Sequence, residues 1–227
     1  MNRLRAPGAV LFDLDGTLAD TGPDLAYALN RTLEHFDRPP LPYDRIRPHV
    51  SHGAMALVRL GFGLEPEQPG FEPRRQFLLD VYAANLCRDT VLFPGMEATL
   101  QQLERDGIPW GIVTNKPAWL TDPLVKSMGL DRRAGCVVSG DTCARRKPHP
   151  DPLLHACRLV DREPAAAWFV GDAGRDMLAG RAAGCLTVAA LYGYIHPDDP
   201  PDTWGSDLVI ERPEQLGELL LQHAATG

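Results

Sequence analysis

No stretch of the 227 residues approaches the roughly 18–20 consecutive apolar residues that a membrane-spanning helix requires. Arg3 and Arg5 precede an apolar run, as in a secretion signal. The run is short and Asp13 ends it, so no signal peptide is expected. Cysteine is sparse and unpatterned: Cys87, Cys136, Cys143, Cys157 and Cys185 are an odd number with no C-x-x-C pair, and most have apolar neighbours. A disulfide framework is therefore not expected; the thiols read as small buried hydrophobes of a reduced, cytoplasmic chain. Basic excess is also missing. The net charge of −7 argues against a nucleic-acid surface, although it leaves room for a local cationic pocket that takes an anionic substrate. No internal repeat or low-complexity tract is visible. What remains is an ordinary globular composition, 44% apolar and 23% charged, at a length that suits one large domain or a domain with an insertion.

The stretch Ala9-Val10-Leu11-Phe12-Asp13-Leu14-Asp15-Gly16-Thr17-Leu18 stands out. A brief apolar run that stops at a polar turn reads as a buried strand. Asp13 and Asp15 are two apart, so an extended backbone sends both side chains to the same side. Close carboxylates repel unless a cation or a shared proton lies between them, and a hard divalent ion such as magnesium suits them. Gly16 lets the chain turn where a side chain would crowd the site. Alone, Asp-x-Asp-Gly is equally well an ordinary turn.

The rest of the chain divides in two. Leu25, Leu29, Leu33 and Phe36 recur at helical spacing after Pro23 and Asp24, which suit a helix start. Tyr43, Ile46 and Val50 suggest a short second helix, residues 54–60 a third, residues 61–73 a loop, and residues 77–86 a fourth helix. Residues 19–91 thus read as all helical, with no strand, and are expected to form a helical cap inserted into a core of residues 1–18 and 92–227. From Phe93 onward strands and helices alternate, with strands at 110–113, 136–138, 168–170, 186–191 and 208–210. This pattern predicts an α/β fold, a Rossmann-like parallel sheet with helices on both faces. Ligands bind such sheets beyond the strands' carboxyl ends, where Asp13, Thr114 and Asp172 each follow an apolar strand.

Asp13 and Asp15, Thr114-Asn115, Lys147, and Asp172 with Asp176 fit one reaction. Carboxylates and a lysine suit a magnesium ion and a phosphate sharing a site. A carboxylate attacking phosphorus would form an aspartyl-phosphate, and a second carboxylic acid could protonate the leaving alcohol and then activate water.

Asp13-Leu14-Asp15-Gly16-Thr17, Thr114-Asn115, Lys147-Pro148 and Gly171-Asp172-Ala173-Gly174-Arg175-Asp176 resemble, in order and spacing, the four motifs of the haloacid dehalogenase-like phosphatases. The resemblance spans nearly the whole chain. It implies Asp13 as nucleophile and Asp15 as general acid/base. It implies Mg2+ held by the Asp13 carboxylate, the Asp15 backbone carbonyl and Asp172, with Asp176 close by. Thr114 and Asn115 would hold the phosphate, and Lys147 would balance its charge. Arg47, His49, Ser51, His52 and Gly53 resemble the substrate-specificity loop of capped members, with Arg47 the candidate for a substrate carboxylate. A plain turn with solvated side chains is the other reading of that loop.

Within the family the chain is similar to phosphoglycolate phosphatases. The segment 191–197 and Trp204-Gly205 look closest to the N-acetylmuramic acid 6-phosphate phosphatases of peptidoglycan recycling, and His52 stands where phosphoglycolate phosphatases often carry glycine. The substrate expected is therefore a small phosphorylated sugar acid, N-acetylmuramate 6-phosphate first and 2-phosphoglycolate second. A sugar phosphomutase ranks below both, and Asp15 speaks against a dehalogenase.

Overall fold

A computed structural model of the chain describes residues 6–224. The apolar run before Asp13 forms β1 (Ala9–Phe12), buried at all four positions. Its side chains alternate between two clusters. Val10 and Phe12 pack with Trp110, Ile112 and Trp168, whereas Ala9 and Leu11 pack with Val138, Leu153 and Phe169 on the other face. A strand buried on both faces has no polar face to show, so the run reads as continuously apolar.

A two-residue strand β2 (Ala19–Asp20) follows and pairs antiparallel with β3 (Val91–Leu92). Between them lie four helices: α1 (Gly22–His35), α2 (Tyr43–Ile46), α3 (Gly53–Phe62) and α4 (Phe71–Ala84), with a 3₁₀ segment Arg47–His52 joining α2 to α3. The insertion's apolar residues, among them Leu29, Leu33, Leu57 and Leu78, are continuous with one face of the main sheet. The remaining elements alternate: α5 (Met96–Arg105), β4 (Trp110–Val113), α6 (Ala118–Ser127), β5 (Cys136–Val138), α7 (Asp151–Leu159), β6 (Ala167–Gly171), α8 (Gly174–Ala183), β7 (Leu186–Ala190), β8 (Leu208–Ile210) and α9 (Glu214–Ala224). The sheet is parallel throughout, in the order β5-β4-β1-β6-β7-β8. Helices α7 and α8 cover one face, and α5, α6 and α9 the other, while α1 packs with the other helices of the insertion.

This is the α/β architecture expected from the alternation, and the differences are local. Residues 19–91 are not wholly helical, because Ala19–Asp20 is a strand; two residues are too few to display a period. The loop expected over 61–73 is shorter, since α4 begins at Phe71. Pro73 is tolerated there because first-turn N–H groups have no intrahelical acceptor. The expected second helix stops at Ile46 and tightens into the 3₁₀ segment, where Pro48 supplies no N–H to continue an α-helix.

Candidate active site

Asp13, Thr114 and Asp172 each sit one residue past a strand end, and the sheet order makes those strands, β1, β4 and β6, neighbours. The ladder continues one step beyond each of the first two strands: the Asp13 N–H donates to the Val170 carbonyl and the Thr114 N–H to the Val138 carbonyl, both at 2.9 Å. The side chains are thereby fixed at one edge. Gly16 turns the chain with φ +84°, and a Cβ there would collide with Asp172 Oδ2. The turn therefore needs glycine both for its backbone and for closeness to the second carboxylate.

Asp13, Asp172 and Asp176 are buried and converge, with one carboxylate oxygen of each within 4.8 Å of the others. Lys147 lies among them. Its Nζ is 2.9 Å from Asp13 Oδ1 and 2.8 Å from Asp176 Oδ1, and it donates to the Val113 carbonyl at 2.8 Å. The ammonium is thus ion-paired with two carboxylates of the cluster and anchored to one backbone carbonyl, so Lys147 acts by its charge. Arg175 approaches from α8, its guanidinium 3.6 Å from Asp13 Oδ2. Three carboxylates against two cations leave a buried negative excess. Burial, then Asp13 and Asp176, push Asp172 up to about 7, and burial also raises Asp176.

Thr114 Oγ1 accepts from the Lys116 N–H at 3.1 Å, which leaves its own proton for a ligand. Asn115 donates from Nδ2 to the Lys147 carbonyl at 2.9 Å and so braces the lysine loop. Among the described residues its backbone N–H has no acceptor. Asp15 points elsewhere than Asp13. Its Oδ1 accepts from Thr21 Oγ1 at 2.6 Å and lies 3.0 Å from Lys116 Nζ. Lys116 also donates to the Tyr82 hydroxyl of α4 at 3.2 Å and lies over the Tyr82 ring.

A cavity of about 410 Å³ opens above these groups. Asp13, Asp15, Thr114, Asn115, Lys116, Lys147 and Arg175 line it from the sheet side, and Ser51, His52, Gly53, Met55, Arg75 and Tyr82 from the insertion. Ser51 donates to Asp172 Oδ2 at 2.6 Å and lies 3.4 Å from the Asp15 carbonyl, so it reaches the carboxylate cluster itself. Burial, then Arg175, lowers His52 to about 4, so it is a neutral imidazole near pH 7. Gly53, at φ +71° and ψ −168°, holds a backbone region open essentially to glycine. Arg47 does not line the cavity. Its guanidinium donates to the Tyr192 carbonyl at 3.0 Å and lies over the Tyr194 ring, and His49 faces His196. The structure thus brings Ser51, His52 and Gly53 to the cavity and engages Arg47 with Tyr192 and Tyr194 instead.

Residues 10–190 match the haloacid dehalogenase-like hydrolase family. The chain belongs to this family. It is 40% identical over 218 residues, 96% of each chain, to the N-acetylmuramic acid 6-phosphate phosphatase of Pseudomonas putida. It is 42% identical over 215 residues to the phosphoglycolate phosphatase of Xanthomonas campestris pv. campestris, covering 95% of this chain and 97% of that one. Among solved structures, one described as a predicted phosphoglycolate phosphatase from Haemophilus somnus superposes with a TM-score of 0.83 at 27% identity, over 95% of this chain and 99% of that one.

Haloacid dehalogenase-like hydrolases use a divalent metal, and the residues of this member fit one. Asp172 Oδ1 and both carboxylate oxygens of Asp176 are buried without a hydrogen-bond partner among the described residues, beside a negative excess. Buried oxygens are seldom left so, and a hard cation would satisfy them. Several cavity residues of this hydrolase were not singled out from sequence: Lys116, Arg175, Tyr82, Arg75 and Arg146. Lys116 follows Thr114-Asn115 directly and Arg175 lies between Asp172 and Asp176, so adjacency to those motifs was the available signal. Tyr82 and Arg75 carry no such mark.

Proposed function

We propose that the chain is a magnesium-dependent phosphomonoesterase that hydrolyses N-acetylmuramate 6-phosphate to N-acetylmuramate and phosphate in peptidoglycan recycling. The observation that carries the reading is the pair Asp13 and Asp15 at the floor of a cavity of about 410 Å³. That space lies in the range of sites for sugar-sized ligands and far exceeds what a two-carbon acid fills. Its walls combine Leu25, Val50, Met55 and Leu79 with Arg75 and Arg146, as an N-acetylated sugar acid would require.

In this reading Asp13 attacks phosphorus while the bond to the sugar oxygen breaks, and Asp15 gives that oxygen its proton. Asp15 then takes a proton from water as the water attacks the aspartyl-phosphate. Phosphate leaves and Asp13 is restored. Thr114 and the Asn115 N–H hold the phosphoryl oxygens, and Lys147 balances charge from beneath. Asp13, the Asp15 carbonyl, Asp172 and Asp176 would hold the magnesium, which supplies Lewis-acid neutralisation of the phosphoryl charge when bound. Residues 19–91 act as a cap that excludes water, hinged near residues 18–22 and 88–94.

The relatives named phosphoglycolate phosphatases support a second reading, 2-phosphoglycolate as substrate. Released phosphate, measured with magnesium across N-acetylmuramate 6-phosphate, 2-phosphoglycolate and simple sugar phosphates, separates the two. A large kcat/KM preference for the muramate ester is expected; a preference for phosphoglycolate overturns the substrate, not the chemistry. Asp13→Asn is expected to abolish turnover with the fold intact. Retained activity in clean protein overturns the nucleophile, and transfer of phosphate to sugar without release would indicate a mutase.

A further inference from the structure

Lys116 is almost wholly buried, yet no step above uses it. Its ammonium lies 3.0 Å from Asp15 Oδ1 on the sheet side and 3.2 Å from the Tyr82 hydroxyl on α4, and it rests on the Tyr82 ring at 4.6 Å from the centroid. Thr21 Oγ1 donates to the same Oδ1 at 2.6 Å. Asp15 is thus gripped twice by one oxygen, while Oδ2 has no hydrogen-bond donor among the described residues and Asp15 lines the cavity. Lys116 is itself held firmly: its N–H donates to Thr114 Oγ1 and its carbonyl accepts from the Gly140 N–H at 2.8 Å. Gly140 cannot be enlarged, because a Cβ there would strike the Asn115 backbone.

We propose that Lys116 is a positioning residue: it holds Asp15 by Oδ1 so that Oδ2 faces the leaving oxygen, and it does so fully only when α4 brings Tyr82 onto the same ammonium. Closure of the helical insertion and aim of the acid/base are then one event. This rests on the phosphatase reading in which Asp15 protonates the leaving group. Misaiming a proton donor matters in proportion to how much the leaving group needs the proton. An alkoxide needs it; p-nitrophenolate does not.

The test compares kcat/KM, which reports steps up to Asp13 phosphorylation, for two esters. One is the alkyl ester turned over faster of N-acetylmuramate 6-phosphate and 2-phosphoglycolate; the other is p-nitrophenyl phosphate. Lys116→Met is expected to lower the alkyl value by roughly ten- to a hundredfold and the aryl value by less than about threefold. An equal loss for both esters, or none, overturns the positioning role. Circular dichroism checks the variant's fold. Should Lys116→Met not fold, Tyr82→Phe carries the test: a smaller loss confined to the alkyl ester supports the role, and its absence overturns it. Wild-type turnover of both esters, lost in Asp13→Asn, keeps the phosphatase reading in place, so an unselective loss then removes the positioning role alone. A wild type inactive on every ester overturns both.

Discussion

Arg146 brings a permanent charge to the cavity wall and makes no side-chain hydrogen bond or ion pair with another described residue. Arg75, across the cavity, is already 2.7 Å from Glu72. A free guanidinium is the better partner for a substrate carboxylate, since it can offer a bidentate fork without first breaking a bond. Arg146→Ala is therefore expected to lower kcat/KM for carboxylated esters by about tenfold or more, the worth of a charged hydrogen bond, while simple sugar phosphates lose little. Steady-state kinetics on the two ester types check this; an equal loss on both would mean that Arg146 serves the phosphate. Arg47 was the sequence's candidate for this task, and the reason it differs is instructive. Asp13, Asp15, Thr114 and Asp172 are legible because a strand end and a turn fix their directions locally. The direction of a long cationic side chain is set by whatever it meets, and Arg47 meets the carbonyl of Tyr192, 145 positions away. Lys116 is similarly silent in sequence, for its meaning depends on Tyr82 and Asp15 arriving together.

The two passages of the chain between sheet and helical insertion form a second small element, the ribbon of β2 and β3. Asp24, in the first turn of α1, locks it. Its carboxylate accepts from the N–H groups of Arg88, Asp89 and Thr90 at 2.8–3.1 Å and from Thr90 Oγ1 at 2.6 Å, all while fully buried. From sequence Asp24 reads as an acid at a helix start, which it is. The long-range clamp is invisible there because its donors are backbone groups, and any residue but proline supplies one. Asp24→Ala would strand those donors in a buried place. A loss of roughly 2–4 kcal/mol is expected, seen as a fall in Tm of about 5–15 °C in a protein of this size; an unchanged Tm would show the clamp to be idle. The longer helices were legible because each carries several turns of period. The ribbon was not, because two residues have none, and the 3₁₀ segment was not, because Pro48 alters the hydrogen bonding without altering the apolar spacing.

At the scale of the whole molecule, the carboxylate cluster ties stability to pH and metal together. Asp172 is pushed up to about 7 in the fold, against 3.8 as its ordinary value, chiefly by burial and then by Asp13 and Asp176. With rising pH the unfolded chain gives up this proton near its ordinary value, whereas the folded chain keeps it until about 7. The folded state holds more protons across that interval, so the contribution is full below about 4, declines through the interval, and is gone above about 7. Asp176 shifts in the same direction. In the proposed metal site a divalent cation would reverse the penalty, because it would bind the ionised cluster, which exists only in the folded chain. Two observations are expected from thermal unfolding at pH 5 to 8. The Tm gain from added magnesium grows with pH and levels off above about 7. In Asp172→Asn, which can keep an oxygen for the Ser51 hydroxyl and the Tyr194 N–H that now donate to Asp172 Oδ2, the metal-free protein at pH 8 is no less stable than the wild type, and magnesium moves its Tm little. A magnesium gain independent of pH, or one that survives in Asp172→Asn, would place the metal's stabilising contact outside this cluster.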